Sequence, residues 1–149
     1  MIYSDKIKKA LNLAYEAHRG QYDKAGYPYI FHPYHLAEQM RTEDEVVVAL
    51  LHDVVEDTAV TLEDLRREGF GDAVIEALGL LTHREDVPYA DYIEAIKHNR
   101  LARAVKLADL RHNCDTTRGG DNPHLADKRA TCYYPAIETL EKAILENID

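Results

Sequence analysis

Cysteine is nearly missing: Cys114 and Cys132 are the only two in 149 residues, and their spacing makes neither a metal knuckle nor a redox pair. Both read as reduced thiols with no chemical duty. Long apolar runs are missing too, and Met1-Ile2-Tyr3-Ser4-Asp5-Lys6 lacks the apolar core of a signal peptide, so a cytoplasmic protein with no membrane partner is expected. Positive charge is in short supply. The chain has 18 Lys and Arg against 27 Asp and Glu, a net charge of −9, which weighs against a nucleic-acid partner because backbone phosphates are bound by basic faces. A small phosphorylated ligand stays open if a metal and a few local cations offset that field. The alternation of a half-buried β-strand occurs nowhere. The chain is therefore predicted to be one all-α domain over residues 1–149, a bundle of roughly seven to nine helices, with its oligomeric state left open.

The most informative stretch begins at Thr42, which with Glu45 three residues on makes a capping box and so a helix start. Val46 to Leu51 then shows no polar residue on any side, and this helix is predicted to be surrounded by protein. His52, Asp53, Glu56 and Asp57 follow. In one continuous helix, His52 and Glu56 share a stripe and Asp53 and Asp57 share the next, about 100° round. Buried charge needs a partner. Two suit it: an ion-pair network with Arg or Lys from elsewhere, or a divalent metal held by His52 and Asp53 with Glu56 and Asp57 left for proton transfer.

In chain order, Ser4 caps a first helix with Ile7, Ala10, Leu11, Ala14, Tyr15 and His18 inward, ending at Gly20. A long loop to Phe31 follows, with Gly26 and Pro28, and long ordered loops tend to carry function. It delivers His32 and His35, with Pro33 in the first turn of the next helix; each histidine taken alone is more often structural. Thr61 with Asp64 starts another helix, Ala73, Val74, Ala77, Leu78 and Leu81 trace an apolar face, and Pro88 opens a helix with Tyr89, Tyr92, Ile93 and Ile96 inward. Over Leu101 to Asp115, Asp109 sits among Ala104, Val105, Leu107 and Ala108, and His112 and Asn113 share its face, to support it or to touch a ligand. Thr116 to Pro123, including Gly119, Gly120 and Asp121, is a loop. A last helix runs from about His124 to Asn147, with Tyr134, Ile137, Leu140, Ile144 and Ile148 inward and a kink or break at Pro135.

His32, His52, Asp53 and Asp109 thus lie on three segments of a helical chain, a donor set that suits Mn²⁺ better than Ca²⁺. The segments Ala17 to Gln21, Gly26 to Pro33, Val48 to Thr58 and Val105 to Asn113, in that order, resemble the HD superfamily of metal-dependent phosphohydrolases, and within it the hydrolase domain of the RelA/SpoT proteins. The resemblance implies a single HD-type helical domain. It also implies hydrolysis of the 3′-pyrophosphate of the guanosine alarmones ppGpp and pppGpp to GDP or GTP and pyrophosphate, with Mn²⁺ or another divalent transition metal as cofactor. The length implies a stand-alone small alarmone hydrolase of the metazoan SpoT homologue type. By position, His32, His52, Asp53 and Asp109 match the metal ligands and Glu56 and Asp57 the acidic pair that activates water. Lys24, Asn113 and Thr116 match substrate contacts. Where the long enzymes carry an arginine against the guanine, this chain has Asp23, which cannot supply cation–π stacking and would repel phosphate. Another nucleotide substrate, a dNMP or NADPH, is the alternative, and a metal- or nucleotide-sensing domain without turnover is a third. Lys24, Lys106, Arg111, Arg118, Lys128 and Arg129 are the candidate cations for a pyrophosphate cradle.

Overall fold

The computed structural model describes residues 1–119 and 122–146. Gly120, Asp121, the expected helix end at Asn147 and the expected inward Ile148 lie outside the described residues. Among those described, the fold is all-helical, with no strand and one isolated bridge between Tyr22 and Pro28. Among the described residues, no helix is long and apolar enough to cross a membrane.

The axis of the fold is α3 (Glu43–Leu51). Its start is the capping box: the Thr42 hydroxyl accepts the Glu45 N–H, and the Glu45 carboxylate accepts the Thr42 N–H. Every side chain from Val46 to Leu51 is fully buried, as an apolar surface on all sides requires. Four helices supply that burial: α1 (Asp5–Ala17), α2 (Phe31–Glu38), α6 (Asp72–Leu81) and α8 (Arg100–Asn113) all pack on α3. The expected continuous helix across His52 does not form. Helix α3 stops at Leu51, His52 and Asp53 make a turn, and α4 (Val54–Asp57) restarts in a separate short coil. The joint delivers two adjacent polar side chains, from one buried point, to the same side of the core.

The remaining elements are α5 (Leu62–Arg67), opened by the Thr61–Asp64 capping box, α7 (Tyr89–Lys97), α9 (Pro123–Lys128) and α10 (Tyr134–Leu145). A π-helical turn, Arg129–Tyr133, joins the last two. The expected break at Pro135 is realised there. Proline cannot donate to the carbonyl one turn back, and the wider turn before it absorbs the lost bond. The extra residue also rotates the following face, so Ala136, Leu140 and Ala143 point inward, whereas Tyr134 and Ile144, expected inside, are exposed. Tyr15 and Ala73, also expected inside, are on the surface. The first helix ends at Ala17 with His18 as its cap, and Gly20 serves the next turn with φ +80°.

Candidate metal centre and cavity

Helix α2 contributes His32, the α3–α4 joint contributes His52 and Asp53, and α8 contributes Asp109. One ligand atom from each falls within 4.8 Å of all the others. His32 Nε2 is 2.8 Å from Asp109 Oδ1 and 3.9 Å from Asp53 Oδ2. His52 Nδ1 is 2.6 Å from the Ala49 carbonyl, which can only accept, so Nδ1 carries a proton and Nε2 is the nitrogen turned to the cluster. That Nε2 is buried, 2.9 Å from Asp53 Oδ2 and 3.6 Å from Asp109 Oδ1, yet makes no hydrogen bond. Two imidazoles and two carboxylates converge with one hydrogen bond among them, His32 Nε2 to Asp109 Oδ1, and with His52 Nε2 unpartnered, a donor set that fits a borderline divalent ion.

The charges around the set are consistent with this. Burial alone would raise the Asp53 carboxyl, but His52 overrides it and holds the pKa at about 2. Asp109 is likewise held well below the ordinary carboxylate range against its burial, chiefly by Lys106, whose Nζ is 2.8 Å from Oδ2. Asn113 Nδ2 donates to Asp109 Oδ1 at 3.3 Å, and Tyr29 donates its hydroxyl to Asp53 Oδ2 at 2.5 Å. Burial would lower His52, but the facing Asp53 and Asp109 raise it well above 6.5, so a cation entering the cluster displaces a proton there.

Beside the cluster, Asp53, Glu56 and Asp57 form a second acidic group. Glu56 Oε1 accepts the His83 N–H at 2.7 Å. Asp57 has its backbone carbonyl held by Gln21 Nε2 at 3.0 Å, and desolvation with the charges of Asp53 and Glu56 pushes its carboxyl up to about 6. Both groups open onto a cavity of about 790 Å³ that also receives Lys24, Lys106, Arg118, Lys128 and Arg129. These five cations share the wall with six carboxylates, Asp23, Asp53, Glu56, Asp57, Asp109 and Asp115. The π-helical turn contributes buried Arg129, whose Nε donates to the Asn113 carbonyl at 3.2 Å.

The HD domain model matches residues 10–133 of this chain. The chain belongs to the HD domain family. This HD domain is 37% identical over 126 residues to a GTP pyrophosphokinase of Streptomyces coelicolor, using 76% of its own length and 15% of that protein's. Over 151 residues it is 34% identical to the bifunctional (p)ppGpp synthase/hydrolase SpoT of Escherichia coli K12, covering 91% of itself and 20% of SpoT. Over 144 residues it is 38% identical to a guanosine-3′,5′-bis(diphosphate) 3′-pyrophosphohydrolase of Haemophilus influenzae, covering 87% and 20%. The chain thus spans a fifth or less of the length of these curated relatives. Among solved structures, a metazoan SpoT orthologue that hydrolyses ppGpp and plays a role in starvation responses shares the fold, with a TM-score of 0.69 at 22% identity over 99% of this chain and 98% of that one.

Of the residues singled out from the sequence of this HD domain, His32, His52, Asp53 and Asp109 come together, Glu56 and Asp57 stand beside them, and Lys24 and Asn113 line the same cavity. Thr116 does not. The chain turns sharply after α8, which leaves Thr116 exposed and puts Asp115 and Arg118 on the cavity wall instead. Arg111 also points elsewhere, pairing with Glu141 at 3.1 Å on the surface. Asp23 is not a bare negative charge: its Oδ1 accepts the Ala25 and Tyr27 N–H groups, and its Oδ2 lies 3.6 Å from Arg118. The expected repulsion of phosphate is therefore offset at source. Sequence reasoning passed over Tyr29 and the pairing of Lys106 with Asp109; the second had a signal, since residues three apart share a helix face.

Proposed function

We propose that this HD domain is a cytoplasmic Mn²⁺-dependent hydrolase of the 3′-pyrophosphate of guanosine alarmones, releasing pyrophosphate from ppGpp and pppGpp. The observation that carries the reading is the acidic pair Glu56 and Asp57 on the open side of a four-donor cluster, in a cavity that gathers cations. The named activities of the SpoT-type relatives support it. His32, His52, Asp53 and Asp109 would hold the ion, which supplies Lewis acidity toward a phosphoryl oxygen and an attacking water.

The protein's own groups account for the rest. Hydrolysis breaks the bond between phosphorus and the ribose 3′ oxygen; water adds to phosphorus, its proton passes to a carboxylate, and the 3′ oxygen takes up a proton. Asp57 is the better base of the pair. Its pKa of about 6 leaves it ionised at neutral pH while keeping it basic, whereas Glu56 already accepts the His83 amide and is fixed as an orienting group. Arg118, Arg129 and Lys24 would bind the diphosphate, and Lys106 stays with Asp109 as a support for the ligand set.

Asp23 favours a second reading. Its carboxylate is tied into the loop and to Arg118, so guanine stacking by an arginine on that wall is not available, and a dNMP or NADPH is the competing substrate. Turnover of ppGpp beside ADP-3′-pyrophosphate, dGMP and NADPH, with Mn²⁺ and product identification, decides between them. Preferential release of pyrophosphate from ppGpp is expected; equal or faster turnover of the others would assign the broader phosphatase. Within the site, Asp53→Ala should lose both Mn²⁺ and activity, whereas Glu56→Ala should keep Mn²⁺ and lose turnover; activity retained in Glu56→Ala would remove that residue from the chemistry.

A further inference from the structure

We infer that His112 is a positioning residue for His32, serving as the acceptor that fixes which nitrogen of His32 faces the ligand cluster. The two residues are far apart in sequence, His32 on α2 and His112 on α8, yet their Nδ1 atoms lie 2.7 Å apart. Their rings are parallel to within 3°, with centroids 5.0 Å apart, a separation that the short contact plus the radii of two rings accounts for. The rings are therefore coplanar and meet edge to edge, the alignment in which an N–H of one points along the lone pair of the other.

Two imidazole nitrogens at this distance share one proton: one donates and the other accepts. His32 Nε2 is the atom turned to Asp109 and Asp53, so as a ligand it must offer a lone pair, and the His32 proton must sit on Nδ1. His112 Nδ1 is then the acceptor. His112 is itself held in place: the His35 ring lies on it at 4.1 Å and 26°, and Arg118 donates to its backbone carbonyl at 3.0 Å. His52 receives the same service from the Ala49 carbonyl, a main-chain group that substitution does not remove. For His32 the acceptor is a side chain. Helix α8 thereby supplies one ligand directly, Asp109, and orients a second through the residue three positions on. This inference rests on the reading of the cluster as a metal centre.

Calorimetric titration of the full chain with Mn²⁺ alone tests it. Asn at position 112 keeps an acceptor near the place of Nδ1, and Leu keeps comparable bulk without one. His112→Asn should hold Mn²⁺ within about threefold of wild type, and His112→Leu should bind about 10–100-fold more weakly. His35→Ala, which removes the stacked ring and spares the acceptor, should bind within about threefold of wild type. Wild-type affinity in His112→Leu, equal losses in the Asn and Leu variants, or a loss in His35→Ala matching that of His112→Leu would each overturn the role. Imidazole ¹⁵N spectra of wild-type protein with diamagnetic Zn²⁺ need no variant: His32 should carry its proton on Nδ1 and His112 on Nε2, and the reverse tautomers would refute the assignment. Wild-type protein that takes up no Mn²⁺ would overturn the metal centre and this inference together, whereas tight wild-type binding with an indifferent His112→Leu would overturn this inference alone.

Discussion

Glu56 and Asp57 are sequence neighbours placed in different surroundings, and the difference is measurable. Asp57 binds its proton more tightly folded than unfolded, because desolvation and the nearby Asp53 and Glu56 charges raise its carboxyl from 3.8 to about 6. Two consequences follow in opposite directions. If Asp57 takes the proton from water, turnover should decline as pH falls through about 6, and Glu56→Gln, by deleting a negative neighbour, should move whatever residual acid limb remains to lower pH. For stability, the raised value means that the fold loses support as pH climbs from near the unfolded value through the folded one. In chelator-treated protein, Asp57→Asn should therefore raise the Tm near pH 8 and leave it unchanged near pH 3.5, as thermal melts at the two pH values would show. The cations separate in the same way by their partners. Arg111 is engaged with Glu141 away from the cavity, so Arg111→Ala should leave KM as it is, whereas Arg118→Ala should raise KM about tenfold.

Among the elements, α3 was the most legible. Its capping box and unbroken apolar run identified both its start and its burial, and Thr42→Ala should cost about 1 kcal/mol in a urea titration. Leu50→Ala, from the fully buried middle of the same helix, should cost about 2–5 kcal/mol and loosen the joint that presents His52 and Asp53. That joint itself was not legible. A polar pair following an apolar run is compatible with either a continuing helix or a turn, and only the packing of four neighbouring helices settles which. The convergence of His52, Asp53 and Asp109 was readable, because each interrupts an apolar segment and so demands company; His32, delivered by a loop, joined them only through the order of the motifs. Thr116 was assigned to the cavity by its position in the family pattern and lies on the exposed turn past α8, because sequence spacing no longer reports direction where the chain leaves a helix. The π-helical turn is the clearest instance. One inserted residue moved Tyr134 and Ile144 outward, and nothing in the local composition announces where that residue is inserted.

On the scale of the whole molecule, a net charge of −9 and a cavity wall that sets six carboxylates beside five Lys and Arg side chains make long-range attraction for a polyphosphate weak, so that capture depends on a bound ion and on local pairing. Binding of the ion should couple to folding. Mn²⁺ at about a hundred times its Kd should stabilise the domain by about 2.7 kcal/mol, raising the Tm by roughly 5–10 °C, and Asp53→Ala should show no such response in a calorimetric scan. The ligand set also has a temporal side, because Asp109 lies 77 residues beyond His32 in the chain. A ribosome adds about 5–20 residues per second, so His32 waits several seconds for a counterpart that has not been made. No truncated product that ends before Asp109 holds all four donors. On the proposed reading, metal capture would wait for chains that have emerged past α8 and closed it against α2, and a partly made copy would hold the ion poorly.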